Sequence, residues 1–62
     1  MKIVEMTYEV TETCQNGKER TMRKKVYANK MYQFEEGKQL LEQHHYYHII
    51  FIKAVWKDVY FL

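Results

Sequence analysis

Three groups of residues in this 62-residue chain carry side chains able to do chemistry. The first is "QHHYYH", residues 43–48, where His44 and His48 stand four apart with His45 between them. On one continuous helix, histidines at i and i+4 can share a zinc ion. Here a helical pattern ends near His45 and a β-rich run begins by Tyr47, which separates the two imidazoles. Cys14, the lone cysteine, would have to bring a third ligand from a hairpin. A histidine at a helix C-terminus is favoured by the helix dipole alone. The sequence therefore predicts no metal site and no cofactor.

The second group is Cys14 together with a histidine, the minimum for a thiol nucleophile. Cys14 adjoins a turn, and the chain has no glycine-rich oxyanion loop, no Walker motif and no Gly-x-Gly-x-x-Gly. No catalytic residue is assigned, and an enzyme is not expected. The third group is an interleaving of Tyr8, Tyr27, Tyr32, Tyr46, Tyr47 and Trp56 with lysines and arginines. Bases stack on aromatics of an open sheet. There is no RNA-recognition-motif signature, and Tyr and Trp are equally the anchors of protein interfaces.

The elements that must position these residues are legible from periodicity. Residues 3–12, "IVEMTYEVTE", alternate strictly, with Val4, Met6, Tyr8 and Val10 on one face and Glu5, Thr7, Glu9 and Thr11 on the other. That is the period of a half-buried strand. Asn16-Gly17 marks a tight turn. A two-residue loop would set Val10 opposite Arg23. A three-residue loop, Gln15-Asn16-Gly17 with Gly17 in the left-handed region, sets Val10 opposite Met22, Met6 opposite Val26 and Val4 opposite Ala28. A one-residue slip moves every apolar side chain to the wrong face, so the three-residue loop is expected. It also brings Glu9 and Glu12 across from Arg23 and Arg20.

Residues 29–45, "NKMYQFEEGKQLLEQHH", carry a helical pattern with Asn29 as N-cap. Met31, Phe34, Leu41 and His45 form the apolar stripe, with Leu40 at its edge and Glu35, Glu36, Lys38 and Glu42 on the wet side. Gly37 inside it costs about 1 kcal/mol relative to Ala, and close packing on the sheet is one reason to tolerate it. The last segment is rich in β-branched and aromatic residues, as strands are. By simple alternation Ile50, Ile52, Ala54 and Trp56 share one face and Ile49, Phe51 and Val55 the other. Both faces are apolar, the pattern of a strand covered on both sides. The expected fold is a single small α+β domain, β-β-α-β. It comprises a hairpin at 2–28, a helix at 30–45, a strand at 47–56 and an apolar tail at 57–62. A right-handed crossover makes the third strand parallel to the second. The first strand is then central in the order 2-1-3, in a mainly antiparallel sheet with the helix on one face.

Composition narrows function. A domain this short buries only about 60% of its unfolded surface, and one cysteine allows no internal disulfide. With 47% hydrophobic residues, 16% aromatic and no proline, the composition is not that of a disordered chain. A lone thiol fits a reducing compartment, no run is long enough to span a bilayer, and "MKIVEM" enters the alternating pattern with no signal-peptide core. A cytoplasmic protein making no membrane contact is expected. Residues 18–30 hold six Lys or Arg (Lys18, Arg20, Arg23, Lys24, Lys25, Lys30) and one Glu, a local charge of +5, yet the whole chain nets only +2. A basic ribbon neutralised by its neighbour is a poor phosphate track.

The sequence thus favours a non-enzymatic module that binds a larger protein as an inhibitor, adaptor or accessory subunit. Phage and mobile-element products of this size supply the analogy, which rests on size alone. A β-ribbon binding nucleic acid through residues 18–30 is the alternative. One short helix covers one sheet face, so apolar surface at the C-terminal strand needs another cover. A C2 homodimer is the commonest solution, and Phe51, Trp56, Tyr60 and Phe61 are the expected interface residues.

Overall fold

The computed structural model describes residues 2–29 and 34–60. In chain order it contains strand β1 (Lys2–Thr13), strand β2 (Glu19–Ala28), helix α1 (Phe34–Gln43) and strand β3 (Tyr47–Asp58). The strands form one sheet in the order β2-β1-β3, and both pairings are antiparallel. This is the predicted small α+β architecture.

The hairpin closes as the matching of apolar faces demands. The Cys14 N–H donates to the Lys18 carbonyl at 2.7 Å, and the Gly17 N–H donates to the Cys14 carbonyl at 2.9 Å. Gln15, Asn16 and Gly17 are the loop, and Gly17 has φ +83°, where a Cβ is disfavoured. Asn16 Oδ1 accepts the Lys18 N–H at 3.0 Å and fixes the turn further. Val4 faces Ala28, Met6 faces Val26, Val10 faces Met22 and Glu9 faces Arg23. Thr11 and Thr21 sit opposite each other with hydroxyls 3.3 Å apart.

Val4, Met6, Tyr8 and Val10 are fully or almost fully buried, and Val26, Ala28 and Leu41 complete the core. Gly37 explains how the helix reaches the sheet. A Cβ there would stand 1.9 Å from Tyr8 Oη and 2.7 Å from Tyr8 Cζ. The phenol occupies that space, with its Oη donating to Met6 Sδ at 3.8 Å. Burial, with Glu35 nearby, pushes the phenol's pKa above its ordinary range. The propensity cost of glycine in a helix is the smaller term, because close packing of Tyr8 depends on it.

The helix ends in a Schellman motif. Tyr46 N–H donates to the Leu41 carbonyl at 3.2 Å and His45 N–H to the Glu42 carbonyl at 3.0 Å. His45 itself takes φ +70°, the left-handed position usually held by glycine. His45 is exposed, not a member of the apolar stripe, and among the described positions of that face Gly37 and Leu41 are buried. Leu40 is exposed at its edge. Met31 and the side chain of Phe34, both of the predicted stripe, and the start of the helix at residue 30 lie outside what the structure describes. Asn29, the predicted cap, occupies a bend.

Strand β3 departs from simple alternation. Its pairing with β1 shifts register twice, between Thr7 and Tyr8 and between Glu9 and Thr11. Each shift is a bulge that changes which face follows. Trp56, Ala54 and Phe51 oppose Val4, Met6 and Tyr8 on the helix side, whereas Val55 and Ile50 oppose Glu5 and Glu9 on the open side. The two sets read from alternation are thus mixed, and the strand is not covered on both faces. It also continues through Asp58, with Lys57 opposite Ile3, so the ladder takes in the first two residues expected in the tail.

Candidate interaction surface

The basic residues of β2 are divided between the two faces. Arg23 and Lys25 oppose Glu9 and Thr7 on the open side, while Arg20 and Lys24 oppose Glu12 and Tyr8 on the helix side. Arg20 is ion-paired with Glu12, its Nε donating to Oε1 at 3.0 Å. Lys24 Nζ stands 5.5 Å above the centre of the Tyr46 ring. Lys25 Nζ lies 3.5 Å from Glu5. Lys18 is exposed in the turn, and Lys30 lies outside the described residues. The predicted run of cations does not form one track on one surface.

Glu5 is the polar hub that the sequence did not reveal. Alternation places it on the wet face of β1, yet the residue is only 4% exposed. The cause is the central position of β1, since neighbours from both edge strands fold across it. Lys57 Nζ from β3 lies 3.0 Å from one carboxylate oxygen, which also accepts the Tyr27 hydroxyl at 3.1 Å, and Lys25 from β2 stands by the other oxygen. The hydrogen bond from Lys57, then that from Tyr27 and the charges of both lysines, hold the Glu5 pKa below its usual range against the opposing cost of burial. Thr7, next along the open face, is also buried, and its hydroxyl has no hydrogen-bond partner among the described residues. The available signal was topological: a strand placed centrally by the order 2-1-3 has no fully solvated face.

The exposed apolar residues gather on β3. Ile50 is 57% exposed and Trp56 53%, with Phe51, Ile52 and Val55 also exposed. Tyr27 on β2 adjoins this surface across Glu5. Of the predicted interface residues, Trp56 stands exposed on the helix side of β3. Phe51 packs edge-on against Tyr8, ring centres 5.5 Å apart, so it serves the margin of the core as well. Tyr60 is 83% exposed, and Phe61 lies outside the described residues. In the order β2-β1-β3 the strand has a neighbour on one side only, so its outer backbone edge pairs with no strand among the described residues.

Among the described residues no group of three or more His, Cys, Asp or Glu side chains is placed to hold a metal ion. His48 takes φ +49° at the second register shift, and its ring lies edge-on to Tyr47 at 5.0 Å. The Tyr47 hydroxyl in turn shares hydrogen bonds with Thr13 Oγ1 and Glu19 Oε1, each 3.0 Å away, tying the start of β3 to the hairpin. A depression of ≈ 510 Å³ between helix and strand is lined by Lys38, Glu42, Tyr47, His48, Ile49 and Ile50. No described helix is long and apolar enough to cross a membrane. No protein-family model matches this chain, and neither a curated protein nor a solved structure does.

Proposed function

We propose that this protein is a small non-enzymatic binding module that occupies a surface of a larger protein, as an inhibitor or accessory subunit does, and that it docks through β3. The supporting observation is the composition of that edge strand, which exposes Ile50 and Val55 on the open side and Trp56 on the helix side, with an outer edge that pairs with no strand among the described residues. An edge strand with exposed apolar side chains is a template for pairing with another chain, and Trp is among the residues that dominate binding energy. A cytoplasmic setting suits a chain with one free thiol.

The competing reading, nucleic-acid binding, draws on Arg23, Lys25, Lys53 and Lys57, which share the open face with Tyr27. Lys25 and Lys57 are both engaged by Glu5, which lowers the charge offered to phosphates. Native-lysate capture with and without nuclease separates the two. The expected result is a partner that survives nuclease and ~100 mM changes in salt, a range over which phosphate contacts weaken steeply. Trp56→Ala should reduce capture by about 2 kcal/mol of binding energy, as loss of an interface anchor does. Capture that disappears with nuclease would refute the proposal. Sedimentation at micromolar concentration tests the remaining occupant, a second copy in a C2 dimer.

A further inference from the structure

The stretch Lys53–Lys57 is the part of β3 with unbroken register, lying opposite Ile3 to Thr7 before the first shift. Its residues divide cleanly. Lys53, Val55 and Lys57 oppose Thr7, Glu5 and Ile3 on the open face, while Ala54 and Trp56 oppose Met6 and Val4 on the helix side. A strand added at the outer edge would meet this same sequence of side chains, because directly opposed residues share a face. On the open face it would meet cation, apolar, cation, and on the other face a small residue followed by an exposed indole.

We infer that this edge accepts an extended segment of a partner protein whose five central residues run acidic, apolar, apolar, apolar, acidic. Resting on the binding-module reading above, this inference names the partner's chemistry. Main-chain hydrogen bonds to the unpaired edge supply affinity, and alternate side chains supply specificity, as in other strand additions. The acid opposite Lys53 meets a lysine with no ion-pair partner among the described residues, and the one opposite Lys57 meets an ammonium it shares with Glu5. The middle apolar residue packs on Val55, and the flanking pair meets Ala54 and Trp56.

Charge argues against a second copy in the register that pairs the whole of Lys53–Lys57 with itself. Two-fold antiparallel pairing centred on Val55 matches Val55 with itself and Ala54 with Trp56. It also sets Lys53 of each copy opposite Lys57 of the other, at both ends of a seam. Like charges directly opposed destabilise strand pairs. The only acidic residue of β3 is Asp58, beyond that seam. Each copy's Glu5 offsets part of the charge of its own Lys57 but is shared with Lys25 and Tyr27, and Lys53 keeps its full charge. Lys53 has no ion-pair partner among the described residues, which leaves it available to an incoming acid.

The test uses the full chain and two synthetic peptides, each flanked by proline to limit self-assembly. One has the centre Glu-Val-Val-Val-Glu, the other Lys-Val-Val-Val-Lys. The acidic peptide is expected to slow amide exchange within Lys53–Lys57 and to bind about tenfold more tightly than the basic one at low salt, the sum of two favourable pairs against two repulsive ones. Lys53→Glu should shrink or reverse that preference while the chain keeps its fold, since Lys53 supports no described contact. Equal binding of both peptides, or amide shifts confined to β2 or α1, would overturn the inference. Protection of Lys53–Lys57 by self-association without peptide would overturn it in favour of a second copy. Shifts at Lys53 with poly-uridylate RNA but with neither peptide would overturn it in favour of nucleic acid. Failure of both peptides alongside nuclease-resistant, Trp56-dependent capture would overturn this inference alone and leave the binding-module reading standing.

Discussion

The two edge strands flank the same central strand and present opposite surfaces. Strand β2 pairs with β1 without a register shift, and its outward positions are dominated by Arg20, Arg23, Lys24 and Lys25. Strand β3 is bent by two register shifts and exposes Ile50, Ile52, Val55 and Trp56. Charged side chains on an edge discourage a further strand, and β2 carries five of them against Lys53, Lys57 and Asp58 on β3. Most of the cations on β2 are also held inward, by Glu12, Glu5 and the Tyr46 ring. The shifts on β3 interrupt only its first half. The regular stretch from Lys53 onward keeps an edge suited to pairing, with lysines that select the charge of what pairs there. Edge charge is denser on β2, and binding is proposed on β3.

The largest expected effect bears on how the helix favours one side of the sheet. The described helix contacts β3 and reaches β1 through Gly37 and Tyr8. Gly37→Ala should destabilise by about 2 kcal/mol, because overpacking exceeds the propensity gained. Denaturant titration measures it, and Tyr8→Phe in the same chain should recover part of the loss by removing the nearest atom. If the two substitutions prove additive, the contact does not set the height of the helix. Amide exchange should show β3 losing protection before β2, sharpening the contrast between the edges.

A smaller effect is expected on the other side. Gly17→Ala places a Cβ at φ +83°, and although nothing crowds it, the backbone itself resists. A loss of roughly 1 kcal/mol is expected, with β2 amides opening first. An unchanged midpoint in chemical denaturation would show that the hairpin tolerates another turn.

Acid should weaken both edges together, since Glu5 binds one lysine from each. Its pKa in the folded state lies below the ordinary value of 4.5, so its stabilising contribution is fully present above that value and is lost as pH falls through the folded pKa. Stability measured from pH 7 downward should therefore decline below about pH 4.5, and Glu5→Gln should flatten that decline. A decline of the same slope in Glu5→Gln would assign it to other carboxylates.

The smallest effect concerns the charge on β2. Lys24→Met removes a cation from above Tyr46 at a cost of about 0.5 kcal/mol, as for exposed cation–π contacts. Sedimentation should show more self-association than in wild type, because the edge has lost one of its charges. A variant that stays as monodisperse as wild type would show that Lys24 is dispensable to edge protection.

The sequence by itself determined the hairpin, its three-residue loop and the pairing of Met6 with Val26, because strict alternation leaves one register that keeps apolar side chains on one face. It determined the order of strands for a similar reason, since the crossover has a preferred hand and a short helix limits the alternatives. Tertiary structure alone decided the roles of Glu5, Gly37 and β3. Glu5 looks solvated from its period of two, and only the lysines and tyrosine reaching over from both neighbours bury and satisfy it. Gly37 looks like a weak point in a helix until Tyr8 is placed beneath it. The faces of β3 could not be read from alternation because a bulge inserts a residue without leaving a mark in hydropathy. His48 and Ile52 fall at the shifts only because of how β1 pairs across from them. Periodicity records which side of a regular strand a residue occupies. Interruptions of that regularity arise from contacts between strands, and they decided which apolar residues this protein leaves exposed.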